Sequence, residues 1–401
     1  MSMSRLVYSK SEATRIGFLC SVSFLAEGAN ILLCISLVYY LKQRFLLDAS
    51  QIGIALALIT SFYTASCIFL ERLYEKLRPS VCLALAFLVE AGSILLVYMT
   101  SSISLVYASL ALYGAGKSLL WPQLTGWMNR GLEGSRLNKA TGLFNLSWCI
   151  GSSIAPTIAG MMVMRSVSLP LAWVLIINTL LLLMIIVFPQ GRTVSSDSQE
   201  EKKADAEDHS TSLRFLAWAG LFVSYIIRGP MESVFPLFAK EYLGLAESTA
   251  GLMLSLRAIV TTAALVFMSR TSFWQFSLPV LLISQALLAV LVLIASLVKG
   301  TAFFWAFFAM LGICMGFLYN LSLFHALSGT IHKSRRMMIH EAVLTAGSVV
   351  GTTAGGWIYQ AIGWTGLLAI LSRIAFAVLA LELVGIVIMK RRRSPRQRIA
   401  L

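Results

Sequence analysis

Residues 42–53 read KQRFLLDASQIG, and residues 240–251 read KEYLGLAESTAG. The two stretches align without a gap at a spacing of 198 residues (240 − 42 and 251 − 53). A spacing of 196 residues (347 − 151) places 151–160, GSSIAPTIAG, over 347–356, GSVVGTTAGG. The chain therefore repeats one structural plan. Duplicated membrane units of this size are typical of solute carriers, in which two related halves move about a site held between them.

The composition indicates a protein that lies in a membrane. The chain is 58% hydrophobic and 12% charged, with a mean hydropathy of +0.81, which is far from the usage of soluble domains. Apolar stretches of about 20 residues, enough to cross about 30 Å of hydrocarbon, recur about twelve times. Their approximate bounds are 14–40, 51–70, 80–100, 102–128, 140–164, 168–188, 213–240, 247–268, 275–297, 301–327, 340–363 and 365–389.

One long polar interruption divides these stretches into two sets. Residues 190–212 are rich in Ser, Asp, Glu and Lys and have no apolar period, which predicts a flexible linker. We therefore expect an all-α polytopic membrane protein with about twelve transmembrane helices in two pseudo-symmetric six-helix bundles. The bundles are predicted at 1–189 and 213–390, with a basic tail at 391–401.

The formal net charge of +14 is explained by membrane topology, and no nucleic-acid partner is expected. Lys and Arg concentrate in alternate connections, in the linker and near both ends of the chain. By the positive-inside rule, this places both termini and the linker on the cytoplasmic side of a plasma membrane, here a bacterial inner membrane. The basic tail is expected to contact membrane lipids.

Other classes of site leave no signal in the sequence. The six cysteines fall in predicted spans without a paired spacing, and the four histidines do not form a ligand set, so neither a disulfide framework nor a metal site is expected. There is no Walker-type phosphate loop and no nucleophile with a base and an orienting group. We expect no cofactor and no enzymatic activity.

The chain resembles the major facilitator superfamily (MFS) over nearly its whole length. The resemblance lies in the number of helices, their division by a central linker, and the duplicated spacing. It implies the MFS fold, transport by alternating access, and a protein that works as a monomer. It also implies a central cavity lined by helices one, four, seven and ten.

One family motif lies in the loop after the second helix. Glu71 and Arg72 occupy the positions of the family's acid and arginine, whereas Cys67 and Tyr74 stand where the family has glycines. The repeated copy keeps Arg270. The resemblance implies a cytoplasmic gate formed by the acid and the two arginines.

A second motif lies on the fifth helix, which resembles the family's antiporter signature G-x-x-x-G-P-x-x-G-G. Gly151, Pro156 and Gly160 stand in their places, and this favours export over uptake. Small residues at a spacing of four also let helices approach closely. In the second half this pattern predicts close helix packing at Gly347, Gly351 and Gly355.

Polar side chains mark the helices that the family places around its cavity. Glu27 and Asn30 share one face of helix one, and Arg228 and Glu232 share the corresponding face of helix seven. Such a stripe in an apolar chain is what a small-molecule site requires. The other predicted cavity residues are Tyr113 and Trp121 on helix four, Tyr319 on helix ten, and Asn145 on helix five, which aligns with Glu341.

Glu27 and Lys117 are the candidates for proton coupling. An ionisable group inside a span costs at least about 2.5 kcal/mol on insertion scales, so each needs a partner or water. Glu27 is predicted to load a proton on one side of the membrane and release it on the other. The alternative is that Glu27 with Lys117, and Arg228 with Glu232, only hold helices together. Hidden ion pairs are expected for Glu90, Arg257, Arg373 and Glu382.

These observations predict secondary active transport of a small organic solute, coupled to protons, with efflux favoured. Two alternatives stay open. The first is a facilitative uniporter or a proton symporter for uptake of a sugar or metabolite. The second is a transporter-like receptor or a lipid-moving membrane protein.

Overall fold

The computed structural model describes residues 10–70, 77–132, 134–188, 211–298, 300–330 and 333–392. Within these ranges every regular element is a helix. In chain order the helices are α1 (Lys10–Phe45), α2 (Ala49–Phe69), α3 (Pro79–Met99), α4 (Ile103–Lys117), α5 (Trp121–Asn129), α6 (Gly134–Val163), α7 (Leu169–Val187), α8 (Leu213–Ser233), α9 (Phe235–Glu241), α10 (Glu247–Ser269), α11 (Leu278–Leu297), α12 (Thr301–Leu327) and α13 (Lys333–Arg392).

The helices account for twelve membrane crossings. Ten helical stretches in the described part of the chain are long and apolar enough to span a membrane, and the last of them covers 54 residues. That stretch, within α13, crosses twice because Gly363 breaks α13 with φ 71°, a conformation that glycine adopts without steric cost. The remaining crossing is α8, the seventh along the chain. It carries Arg214, Arg228 and Glu232 and is correspondingly more polar. The predicted all-α polytopic fold is confirmed.

Two crossings on opposite halves of the bundle are interrupted near their ends. The fourth crossing breaks in a turn at residues 118–120, and α5 restarts with Pro122 in its first turn. The seventh crossing breaks at Val234, and α9 restarts with Pro236 in its first turn. Proline fits the first turn of a helix because the amide it lacks has no partner inside the helix. Each half thus contains one broken crossing, although the two breaks do not lie at corresponding positions of the repeat.

The turn between α1 and α2 is fixed by a capping box. The Asp48 carboxylate accepts a hydrogen bond from the Gln51 amide at 2.9 Å, and the Gln51 side chain accepts one from the Asp48 amide at 3.0 Å. The Ser50 hydroxyl also donates to Asp48 at 2.6 Å. This hydroxyl, together with the backbone amides, lowers the pKa of Asp48 below its ordinary value. The α1–α2 hairpin is therefore tight and ends in an ionised cap.

Two helix pairs join the halves, α2 with α13 and α6 with α10. At these crossings backbone meets backbone: a Cβ on Gly53 would lie 2.5 Å from the carbonyl oxygen of Thr352, and a Cβ on Gly251 would lie 2.2 Å from that of Pro156. Both crossings lie toward the end of the bundle that carries the loops 46–48 and 242–246. We call this end the closed end, and the opposite end, where residue 188 leads out of α7, the linker end.

Burial along α2 differs between the two ends. Its buried residues run from Ala49 to Ile59, whereas residues 60–70 are half-buried or exposed. The halves therefore separate toward the linker end. The predicted linker and tail, 190–212 and 391–401, lie almost wholly outside the described residues, so the predicted bundle boundaries stay a prediction.

Candidate substrate site

The first part of the site joins α1 to α4. Lys117 Nζ lies 3.8 Å from Glu27 Oε2, and Asn30 Nδ2 donates to the same oxygen at 3.5 Å. Lys117 Nζ also lies 5.8 Å from the centre of the Tyr63 ring on α2, within cation–π range. The side chains of Lys117 and Glu27 are 16% and 14% exposed. This is a mostly buried ion pair that solvent still reaches.

The second part of the site lies in the other half. Glu232 Oε1 accepts hydrogen bonds from Arg228 Nε at 2.8 Å and from Arg257 Nη2 at 2.7 Å. Arg228 Nη1 also donates to the Tyr225 hydroxyl at 3.2 Å, and Arg257 Nη1 contacts the sulfur of Met315 at 3.5 Å. One carboxylate thus serves two guanidinium groups, which leaves this group with an excess of positive charge.

Arg257 forms the hidden ion pair that was expected of it, but its place in the central site was not predicted. It lies on α10, a helix expected to carry only hidden ion pairs, and its ion pair with Glu232 on α8 brings it into the central site. Its presence as an arginine within an apolar span was the available signal. Because its side chain is long enough to reach a carboxylate on another helix, the position of Arg257 on its own helix did not predict Glu232 as its partner.

The two parts face each other at the centre of the bundle. Glu27 lies within electrostatic range of both Arg228 and Glu232. Because Glu27 and Arg228 belong to corresponding helices of the duplicated halves, the polar stripes of the two halves meet there. We refer to Glu27, Lys117, Arg228, Glu232 and Arg257 as the central charged cluster.

Glu341 on α13 is a further acid beside this cluster. Its carboxylate lies within electrostatic range of Tyr63 on α2, Tyr225 on α8 and Tyr319 on α12. It is half-buried. Among the ion pairs between described side chains, none includes Glu341. The alignment with Asn145 was the only sequence signal for this position.

Three predicted cavity residues take no part in the ion pairs of the cluster. Tyr113 is fully buried beside Glu90, and it lies within electrostatic range of Glu27. It is one turn nearer the closed end than Lys117, where α2 and α3 pack against α4, and its place in the cavity stays a prediction. The other two lie toward the linker end. Trp121 packs edge-on against Phe144 at 6.4 Å, and Asn145 is exposed and accepts a hydrogen bond from Trp148.

The expectation of hidden ion pairs is wrong for two acids. Glu90 is 2% exposed, and its Oε1 has no hydrogen-bond partner among the described atoms. Glu382 is 8% exposed, and neither of its carboxylate oxygens has such a partner there. Neither acid takes part in an ion pair of the described side chains.

The predicted gate is only partly described. Arg270 is exposed and forms the C-terminal cap of α10 at the linker end. Glu71 and Arg72 lie outside the described residues. The gate remains a prediction.

The predicted packing glycines lie at close helix contacts. A Cβ on Gly151 would approach the carbonyl oxygen of Phe24 to 2.4 Å. In the second half, an added Cβ would lie 2.7 Å from the Phe222 oxygen at Gly347, 2.2 Å from the Ile226 oxygen at Gly351, and 2.3 Å from the Pro230 ring at Gly355. A Cβ on Gly160 would lie 2.3 Å from the Glu247 oxygen, and Pro156 lies inside α6 at the crossing with α10. These contacts leave no room for side chains at the glycines.

The closed end is sealed by polar contacts between the halves. Lys42 Nζ lies 3.2 Å from Glu241 Oε1, and the buried Tyr39 hydroxyl donates to the Pro236 carbonyl at 3.4 Å. Outside this seal is a crevice of about 400 Å³, and Lys42, Glu241 and Gln43 are among its lining residues. The seal separates the crevice from the central charged cluster.

An apolar crevice of about 210 Å³ lies elsewhere, between α1, α6 and α7. Phe24, Ile154, Met162 and Trp173 are among its lining residues. Ile154 and Trp173 are more than 40% exposed, as lipid-facing side chains are. The crevice has no polar group that would orient a solute, and the central charged cluster is therefore the better candidate site.

A bundle of twelve crossings, built from two similar halves around a charged centre, defines a membrane carrier. The sequence matches the model of the Major Facilitator Superfamily over residues 19–330. The chain belongs to this family. A comparison with curated protein sequences returns no match.

Several solved structures share the fold. A POT family transporter in complex with a thioalcohol-conjugated peptide has a TM-score of 0.76 at 13% identity, over 92% of this chain and 95% of that one. The nucleoside transporter NupG has a TM-score of 0.73 at 14% identity, over 92% and 99%. A bacterial homolog of the human lysosomal transporter Spinster, inward-facing and occupied, has a TM-score of 0.73 at 11% identity, over 97% and 100%. At these identities the likeness concerns the fold.

Proposed function

We propose that this protein is a secondary active transporter that moves a small organic solute by alternating access, exchanges it for protons, and works in the direction of export. The observation that carries the proposal is the 3.8 Å ion pair between Glu27 and Lys117. It bridges two crossings at the centre of the bundle, where a change in helix position alters both the pair and its access to water.

The proton step follows from this geometry. While Lys117 lies against Glu27, the carboxylate has a counter-charge. Lys117 is the last residue of α4 and directly precedes the break at 118–120, so a shift of this helix end moves its ammonium group. When the pair opens, Glu27 lacks its counter-charge, and a proton or a charged solute takes that place.

Alternating access is supported by the arrangement of the halves. The closed end is sealed by the backbone crossings and by the Lys42–Glu241 pair, and α2 becomes more exposed toward the linker end. Rocking of one half against the other about the centre would open the closed end and close the linker end. We propose that the linker end is cytoplasmic, in a bacterial inner membrane, and that a monomer suffices.

The nature of the solute is proposed from the site. Charged and tyrosine side chains at the centre suit a polar organic molecule. The similar structures are a POT family transporter with a bound peptide conjugate, a nucleoside transporter and a bacterial homolog of a lysosomal transporter, and these are consistent with a small organic solute. Membrane lipids are expected around the bundle and not as the cargo.

The test begins with a ligand screen on the purified full-length protein. A metabolite and drug library is screened by thermal shift on the wild type, Glu27→Gln and Arg228→Ala. Each ligand is then tested for flux into proteoliposomes under an imposed pH gradient. We expect gradient-driven accumulation with the wild type and its loss in Glu27→Gln.

Glu382→Gln is the matched control, because it removes a buried acid that takes no part in the central charged cluster. It should keep pH-driven accumulation. If Glu27→Gln accumulates the solute as the wild type does, proton coupling through Glu27 is wrong. Equilibration without accumulation in the wild type would indicate the uniporter, and binding without flux would indicate a receptor.

A further inference from the structure

We propose that the central site binds a small zwitterion, with the carboxylate of the ligand at Arg228 and its ammonium group at Glu341. This inference specifies the substrate class and rests on the proposed transport function. It follows from the way in which the charges of the site are paired.

The positive pole is the pair of arginines that share Glu232. Both guanidinium groups bind the same oxygen, Glu232 Oε1, at 2.8 and 2.7 Å, so one positive charge in this group is unbalanced. Arg228 is the accessible partner, with a side chain 27% exposed against 9% for Arg257. The Nε of Arg257 is buried and lacks an acceptor among the described atoms. A ligand carboxylate at Arg228 would balance the charge through charge-assisted hydrogen bonds.

The negative pole is Glu341. The cations of the central charged cluster are engaged elsewhere, Lys117 with Glu27 at 3.8 Å and both arginines with Glu232. An ionised carboxylate that is half removed from water is stabilised by a cation beside it. An ammonium group of a ligand would supply that cation.

Two tyrosines lie near both poles. Tyr225 and Tyr319 each lie within electrostatic range of both Arg228 and Glu341, and the Tyr225 hydroxyl already accepts a hydrogen bond from Arg228. Among the described side chains no ion pair joins Arg228 to Glu341, and the carboxylate paired with Arg228 is that of Glu232. The poles therefore do not neutralise each other, and a ligand that bridges them would lie along the tyrosines, whose rings suit its apolar part.

The charge count excludes simpler ligands as the best fit. Counting Glu341 with the central charged cluster gives three cations and three carboxylates, so the site is neutral as a whole but polar across its width. A purely anionic ligand leaves Glu341 unpaired, and a purely cationic ligand leaves the arginine pair unbalanced. Electrostatic complementarity therefore selects a molecule that carries both charges at a distance.

The test uses matched ligands and the purified full-length protein, with binding measured by calorimetry. The first set is an amino acid, its methyl ester and its N-acetyl derivative, which are a zwitterion, a cation and an anion on one skeleton. The second set is a series of ω-amino acids of increasing length, which measures the distance between the poles. We expect the zwitterion to bind at least about tenfold more tightly than the ester and the acetyl derivative, with an optimum length in the series.

Two variants assign the poles. Glu341→Gln should abolish the preference for the zwitterion over the acetyl derivative and keep its preference over the ester. Arg228→Gln should do the opposite. Glu382→Gln and Arg373→Gln are controls that remove charges outside the site, and they should bind as the wild type does. Thermal unfolding of each variant without ligand shows whether a loss of binding reflects a loss of the folded state.

Three results would overturn the proposal. These are equal binding of the zwitterion and one of its singly charged relatives, a preference that both variants leave intact, and no binding by any member of the two sets. Each of these leaves proton-coupled flux of another solute possible. The flux assay on a screened ligand therefore tests the transport function separately.

Discussion

Lys42 Nζ lies 3.2 Å from Glu241 Oε1, and this ion pair links the two halves of the bundle at the closed end. The side chains are 40% and 45% exposed, so the pair contributes little to the free energy of unfolding, on the order of 0–1 kcal/mol. Its role is better sought in the conformational equilibrium, because it bridges α1 and α9 at the end where the halves part in the proposed transport cycle.

We therefore predict that Lys42→Gln changes the unfolding free energy by less than about 1 kcal/mol and raises hydrogen–deuterium exchange in α9 and in the loop 242–246. The control is Gln43→Ala, which changes a neighbouring uncharged residue of the same crevice. Exchange that is equal in the two variants would show that the ion pair does not hold the closed end.

The backbone crossing between α6 and α10 should not tolerate a side chain. A Cβ on Gly160 would lie 2.3 Å from the Glu247 carbonyl oxygen, and Gly160→Ala is expected to destabilise the protein by about 1–3 kcal/mol through overpacking. Gly142→Ala on the same helix has open space around the added carbon. That variant should be neutral or slightly stabilising. Thermal unfolding of the two variants gives the comparison, and equal midpoints would contradict it.

Glu232 should be the most sensitive residue of the central charged cluster. Glu232→Gln leaves two guanidinium groups without their carboxylate, and the expected loss is about 3 kcal/mol or more. Arg257→Met should cost less, because Glu232 keeps Arg228 at 2.8 Å. Thermal unfolding of both single variants and the double variant tests this. If the loss of stability in the double variant equals the sum of the two single losses, the two residues do not act as a pair.

The capping box at Asp48 gives a prediction with a pH dependence. Asp48→Ala should cost about 1 kcal/mol at neutral pH, whereas Asp48→Asn keeps an acceptor for the cap and should cost less. Because the folded-state pKa of Asp48 lies below its ordinary value, the ionised cap stabilises the fold fully above the unfolded-state pKa, about 3.9. That contribution is lost as the pH falls through the folded-state pKa.

Thermal unfolding as a function of pH is the measurement for this prediction. The difference between wild type and Asp48→Ala should stay constant above about pH 5 and shrink in more acidic buffer. A difference that grows as the pH falls would contradict the assigned role of the carboxylate.

The fold could be predicted because the length of the apolar stretches and their duplication can both be read directly from the sequence. The crossings at Gly53 and Gly251 lie inside the duplicated stretch that first indicated two halves. The ion pair of Glu27 and Lys117 could be proposed as well, since both are charges in apolar spans that the family resemblance places at a common centre.

The rest of the site depends on side-chain reach and on depth, which a helical period does not contain. Arg257 joins the cluster because its side chain spans the distance to another helix. Tyr113 shares a helix face with Lys117, yet it is fully buried because α2 and α3 pack against α4 there. Glu341 shares a packing neighbourhood with tyrosines from three other helices, and only assembly of the bundle brings them together.

The break at Gly363 has a mechanical consequence. Only this residue interrupts α13, with φ 71° and ψ −176°, so the last two crossings are connected without any slack. The first of them contacts both α2 and α8, and α13 also packs on α11. A tilt imposed on the first crossing must therefore either be absorbed by rotation about the backbone of Gly363 or be passed on to the second crossing.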